Sequence, residues 1–159
     1  MIPDSPATQQ PRYPDLAGKV AVVTGGSRGI GAATAHALAT NGASIAVVGR
    51  DQQALADVTD DIQSHGGRAL PVCADCTIET DVDRLARTVI DQLGPPDILA
   101  AFAGGNGMPV PTVTETVAHW REVLESDLTS TFLTTNAFLP TMRSRPRRTN
   151  GHPTPTGGV

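Results

Sequence analysis

The stretch "VAVVTGGSRGIGAATA", Val20 to Ala35, decides the reading of this chain. With the preceding Lys19, its start, "KVAVVT" at Lys19–Thr24, forms a short, nearly all-apolar run, as expected of a strand buried on both faces. A loop with glycines at 25, 26, 29 and 31 follows. Ile30, Ala33, Ala37 and Leu38 then fall at helical spacing, and "NGA" at 41–43 supplies the stop. A helix start presents N–H groups without intrahelical partners and a partial positive charge. Glycine lets a phosphate come close to them. Strand, glycine loop and helix in that order lift the motif above chance. The Gly-Lys-Ser/Thr ending of a nucleoside-triphosphate loop is absent. A tight strand-to-helix turn without a ligand is the alternative.

Outward from that stretch the alternation repeats. Ser44–Gly49 reads as a second strand, and Asp51 caps a helix whose buried face holds Leu55, Val58 and Ile62. Arg68–Cys73 reads as a third strand, which Pro71 places at a sheet edge. A helix starting at Thr80 or Asp81 carries Val82, Leu85, Ala86, Val89 and Leu93 on one stripe, and "LGPPD" at 93–97 breaks it. Asp97–Gly104 reads as a fourth strand running into a second glycine loop. This order predicts an α/β doubly wound parallel sheet with right-handed crossovers. Residues 117–142 read as one long helix with Trp120, Val123, Leu124, Asp127, Leu128 and Thr131 on one face. A carboxylate left uncompensated on a buried stripe takes up a proton.

The 159 residues suit one domain and carry a formal charge of −4. That balance gives no whole-chain footprint for nucleic acid. No run of about 18 apolar residues is present to span a membrane, and the N-terminus lacks the apolar core of a signal peptide. A cytoplasmic protein is expected. Residues 1–15 read as a flexible arm. Residues 143–159, with four arginines, three prolines and three glycines, read as a disordered tail whose arginines are solvated. Cys73 and Cys76, in "CADC", have no second pair and no nearby histidine to complete a zinc site, so no metal is expected. They read either as a redox pair or, preferably, as two small residues at a strand end.

Thr24-Gly25-Gly26-Ser27-Arg28-Gly29-Ile30-Gly31 matches the TGxxxGxG motif of the short-chain dehydrogenase/reductase family, which the chain resembles from about Leu16 to Met142. The resemblance implies that residues 16–142 form a partial Rossmann NAD(P)-binding domain, truncated after the fourth strand and the long following helix. It implies cofactor contacts at Thr24, Gly25, Ser27, Arg28, Gly29, Ile30 and Gly31. Asp75 stands where the family's aspartate meets the adenine edge, with Cys76 beside it. "AFAG" at 101–104 stands where the family usually carries Asn-Asn-Ala-Gly, so Ala103 and Gly104 keep the close backbone approach. The two lost asparagines cost about 1 kcal/mol per hydrogen bond, a matter of stability rather than a veto on binding. Arg50 occupies the turn where an NAD-preferring site places an acid for the ribose. With Arg28 it suits a 2′-phosphate through forked, charge-assisted bonds. NADP is therefore expected ahead of NAD. In the counter-reading Asp51 takes the ribose and Arg50 points to solvent.

The family's catalysis uses a serine, a tyrosine, a lysine four residues after it, and a helix asparagine. The lysine brings the tyrosine's pKa down from about 10 so that it can exchange protons with a carbonyl or alcohol. This sequence has one tyrosine, Tyr13, and one lysine, Lys19, both ahead of the first strand. The Tyr-x-x-x-Lys apparatus is absent. Asp127 stands where the helix asparagine belongs and is the catalytic candidate. It reads as a near-isosteric replacement with weakened function, as acid machinery similar to that of peroxisomal dienoyl-CoA reductases, or as a tolerated change in a chain that no longer catalyses. The family's homo-oligomer interface is incomplete, because the helix bearing the tyrosine is missing, and the fourth strand is left as a bare apolar edge.

The expectation is the cofactor-binding part of an NADP-dependent short-chain oxidoreductase that acts on an unknown small carbonyl or alcohol, without turnover on its own. The change of composition after Met142 is what a shifted reading frame or an early stop would leave. The alternatives are a non-catalytic NADP(H)-binding regulator and a split enzyme completed by another chain.

Overall fold

The computed structural model describes residues 12–105 and 107–143; most of the expected arm and tail lie outside them. Strands β1 (Val20–Thr24), β2 (Ser44–Gly49), β3 (Arg68–Cys73) and β4 (Ile98–Ala101) alternate with helices α1 (Gly29–Thr40), α2 (Gln52–Ser64) and α3 (Glu79–Leu93). The strands are parallel, in the order β3-β2-β1-β4. Val22 lies opposite Ala46 on one side and Leu99 on the other. The chain therefore leaves β1 in one direction and returns to its far side for β4. The crevice at the carboxyl ends of β1 and β4 is where such sheets bind ligands. Pro71 sits in the edge strand β3, where its missing N–H breaks no ladder.

Successive strand residues point to opposite faces of the sheet. Val20, Val22, Ala46 and Val48 pack with Leu85, Ala86 and Val89 of α3 and with Phe138. Ala21, Val23, Ile45 and Val47 pack with Ala35, Ala39, Leu55 and Ile62 on the other face. Both faces of β1 and β2 are covered, which is why these strands are almost wholly apolar. Full burial of a side chain such as Leu85 or Ile45 contributes about 1.5–3 kcal/mol.

Boundaries differ from the sequence reading, starting with β1, which begins at Val20 rather than Lys19. β4 ends at Ala101 rather than Gly104, because the Ala103 N–H turns away to donate to Thr24 Oγ1 at 3.1 Å. α3 begins at Glu79, ahead of both Thr80 and Asp81. Asp81 instead folds back to accept the Asp75 N–H at 2.9 Å. The long helix is interrupted. α4 (Val117–Leu124) passes through a π turn at Glu125–Thr129 into α5 (Ser130–Arg143), and the Ser130 N–H reaches back five residues to the Glu125 carbonyl. The expected apolar face is mostly outside: Trp120, Leu124 and Leu128 are exposed. Ser130, Thr134 and Phe138 are buried in its place. The hydroxyls of Ser130 and Thr134 donate to carbonyls four residues back, at 2.5 and 2.8 Å, which satisfies them inside the protein.

Candidate functional site

A cleft of about 550 Å³ opens at the carboxyl ends of the strands. Its floor is the loop between β1 and α1. Gly25 has φ +65°, and a Cβ there would strike the Phe102 carbonyl; a Cβ on Gly31 would strike the Gly25 carbonyl. Only glycine lets this loop fold so tightly against β4 and against the start of α1. Arg28, just before α1, makes no side-chain cap bond, and Ile30 and Gly31 of the first turn line the cleft; an uncapped helix start of this kind suits an anion. This backbone cradle fits a dinucleotide pyrophosphate.

Two further loops complete the cleft. Arg28 Nη2 lies 2.9 Å from Asp51 Oδ2. The other oxygen of Asp51 accepts the Ala54 N–H at 3.1 Å and so caps α2, as the sequence implied. Arg50 Nη1 lies 3.8 Å from Asp75 Oδ2. Asp75 Oδ1 accepts the N–H and hydroxyl of Thr77 at 2.9 and 2.7 Å. These two bonds, helped by Arg50, hold the Asp75 carboxyl below its ordinary value of 3.8. The Asp75 N–H and then Arg84 hold Asp81 low in the same way. Cys76 is buried, and burial first, then the charges of Asp75 and Asp81, push its thiol up to about 11. It is a wall of the cleft rather than a nucleophile.

The structure gathers Gly25, Ser27, Arg28, Ile30, Gly31, Arg50, Asp75, Cys76, Ala103 and Gly104 around this one cleft. Thr24 and Gly29 are not among its lining. Thr24 is buried, and its hydroxyl holds the turn after β4. Asp127 is neither buried nor uncompensated. It is exposed and accepts the Gly105 N–H at 2.7 Å, which corrects the expected buried stripe. Gly104 lies so close that a Cβ there would sit 2.7 Å from Asp127 Oδ1. Sequence reasoning missed Ser126, Ser130, Thr77 and Phe102, all of which line the cleft. The four-residue spacing from Ser126 through Ser130 and Thr134 to Phe138 is the signal that could have found the first two.

Tyr13 and Lys19 lie at the opposite, amino-terminal end of the strands. The Tyr13 N–H donates to Asn41 Oδ1 at 2.6 Å, just past the end of α1, and Lys19 pairs with Asp97 at 3.5 Å ahead of β1 and β4. The five residues of β1, roughly 16 Å at about 3.3 Å per residue, stand between them and the cleft. Among the described residues, no group of three His, Cys, Asp or Glu side chains could hold a metal ion. No helix among them is long and apolar enough to cross a membrane.

Comparison with known proteins agrees with this architecture. The family model described as short chain dehydrogenase matches residues 19–152. A short chain dehydrogenase of Pseudocercospora fijiensis is 36% identical over 147 residues, which is 91% of this chain and 48% of that protein. The crystal structure of a metagenomic short-chain oxidoreductase in complex with NADP superimposes with a TM-score of 0.73 at 35% identity, covering 79% of this chain and 57% of the other. A 7α-hydroxysteroid dehydrogenase complexed with NADH and 7-oxo-glycochenodeoxycholic acid gives 0.76 at 38% identity, covering 80% and 49%. This chain spans about half the length of the curated relatives it matches. The glycine cradle, the strand order and a family match over most of the sequence agree, and the chain belongs to the short chain dehydrogenase family.

Proposed function

We propose that this chain binds NADP(H) in the cleft, as the cofactor-binding unit (residues 16–142) of an oxidoreductase that interconverts a small alcohol and its carbonyl. The observation that carries the preference for the phosphorylated cofactor is that Arg28 and Arg50 both line the cleft and offer forked donors to a 2′-phosphate. Arg28 pairs with Asp51, which also caps α2, but that pair is exposed and a phosphate dianion can displace it.

The other contacts follow from position. The first amides of α1 and the backbone from Gly25 to Gly31 receive the pyrophosphate. Asp75 and the wall at Cys76 receive the adenine. Ala103 and Gly104 allow close approach beyond β4. NADPH, when bound, supplies the hydride. Asp127 acts through the Gly105 amide, ordering the loop after β4. Tyr13 and Lys19, at the far end of β1, exchange no proton at the cleft, so this chain alone gives no turnover. The same placement favours a second reading, in which the chain senses NADP(H) without catalysis. The expectation of a cytoplasmic protein belongs to this proposal as well.

The test is a fluorescence titration of the full chain with NADPH and with NADH. Saturable micromolar binding, tighter for NADPH, supports the reading. Failure to bind either nucleotide overturns it, and tighter binding of NADH overturns the NADP preference.

A further inference from the structure

We infer that Asp81, on the first turn of α3, is a positioning residue for the adenine end of the cleft: it holds the Asp75 backbone so that the Asp75 carboxylate meets the 6-amino group of adenine. The inference rests on the dinucleotide reading above. Asp75, Cys76 and Thr77 line the cleft, whereas Asp81 stands behind them, outside its lining.

The start of α3 grips the Asp75 peptide on both sides. Its N–H donates to Asp81 Oδ2 at 2.9 Å, and its carbonyl accepts the Ile78 N–H at 3.1 Å. The other Asp81 oxygen accepts from Arg84 Nη2 at 2.9 Å, and the same nitrogen donates to the Cys73 carbonyl at 3.1 Å. Asp81 and Arg84 thus hold the chain at 73 and 75. Between these points the Ala74 N–H donates to the Gly49 carbonyl at 2.9 Å and continues the sheet. The helix carries the loop, and the loop carries the cleft wall.

The Asp75 carboxylate has one oxygen already committed. Oδ1 accepts the Thr77 N–H and hydroxyl at 2.9 and 2.7 Å. Oδ2 has Arg50 at 3.8 Å, too far for a strong charge-assisted bond. An ionised carboxylate only accepts hydrogen bonds, so Oδ2 suits an N–H donor. Adenine offers its 6-amino group. Reach and direction of this bond depend on where the Asp75 backbone sits, which is what Asp81 sets. Charge alone predicts the opposite effect. The negative charge of Asp81 works to raise the Asp75 carboxyl, against the Thr77 bonds. It also repels a polyanionic cofactor. On that ground its deletion would tighten every dinucleotide alike. Positioning predicts a loss confined to recognition of the amino group.

The experiment titrates the full chain, Asp81→Ala and Asp81→Asn with NADPH and with deamino-NADPH, in which a carbonyl oxygen replaces the adenine amino group. Asp81 is partly exposed, and α3 keeps Val82, Leu85 and Ala86 on its buried face, so both variants should fold. The unaltered chain should bind NADPH about tenfold more tightly than the deamino form, as expected for one hydrogen bond to a charged group. Asp81→Ala should reduce that preference to about twofold or less. Asp81→Asn keeps a carbonyl acceptor for the Asp75 N–H and should retain it. A tenfold preference that survives in Asp81→Ala overturns the inference. A preference lost as fully in Asp81→Asn overturns it too, because charge rather than the acceptor would then be at work. An unaltered chain that binds both forms equally overturns the inference and leaves the dinucleotide reading intact. One that binds neither removes that reading itself, before any variant is made.

Discussion

The Asp127 carboxylate accepts the Gly105 N–H at 2.7 Å and so ties the π turn to the glycine loop that follows β4. Asp127→Ala removes the acceptor of this bond, whereas Asp127→Asn keeps a carbonyl in its place. At this exposed site the loss should cost about 1 kcal/mol or less. Exchange of the Gly105 amide should quicken in the alanine variant and stay near its original rate in the asparagine variant. Equal rates in all three proteins would show that the bond does not order the loop.

Gly31→Ala tests the cradle. Its Cβ would strike the Gly25 carbonyl, which is backbone and cannot swing aside. Either the loop shifts or the start of α1 moves away from β1. Strain of this kind costs about 1–3 kcal/mol. Denaturant unfolding should show that loss, together with a loss of nucleotide binding. A variant with unchanged stability and binding would mean that the approach is looser than the geometry indicates.

Asp75 sets a pH window. Its folded-state pKa lies below its ordinary value of 3.8, chiefly through the Thr77 N–H and then the Thr77 hydroxyl. A depressed carboxyl contributes stability that is complete above the unfolded pKa and is lost as pH falls through the folded one. No loss from this group is expected between pH 7 and about 5, and the decline should begin as pH drops below about 4. Thr77→Val deletes the hydroxyl bond and keeps the amide bond, so the Asp75 titration should move up only part of the way. Carboxyl NMR titration measures this directly, and an unmoved midpoint would remove the hydroxyl's role.

The two cysteines should separate under alkylation. Cys73 is exposed, whereas Cys76 is buried with its thiol pushed up to about 11. At pH 8, iodoacetamide should modify Cys73 and leave Cys76 untouched until the protein is denatured. Mass spectrometry of the digested protein reads the site. Early modification at Cys76 would contradict the packing around it.

The strands were legible because each is a compact apolar run between turn residues, and Pro71 marked its own edge position. The glycine loop named the site, since strand, glycines and helix can be read in order from one short stretch. The Arg28–Asp51 pair was not legible. Its partners are 23 residues apart, and they meet only because the first two loops approach each other. Thr24 was read as a ligand contact because it opens the motif, yet it is buried and its hydroxyl accepts the Ala103 N–H. The face of α4 and α5 was misread for a different reason. Leucines and a tryptophan suggested an inward stripe, but serine and threonine take that place by bonding their own helix. A count at 3.6 residues per turn also cannot register a π turn.

That π turn gives the helix one residue of slack. Its wider loop absorbs one residue beyond what an α-helix would need, so α4 and α5 keep their facing across it. Deleting one residue from 125–129 would let the helix close into ordinary α geometry and leave Phe138 against α3. The same deletion inside α4, where nothing absorbs it, would turn the residues on its two sides by about 100° relative to each other. Glu125 and Leu128 are exposed and should tolerate replacement. The segment can give up a character as well as change its spelling, a freedom the regular turns beside it lack.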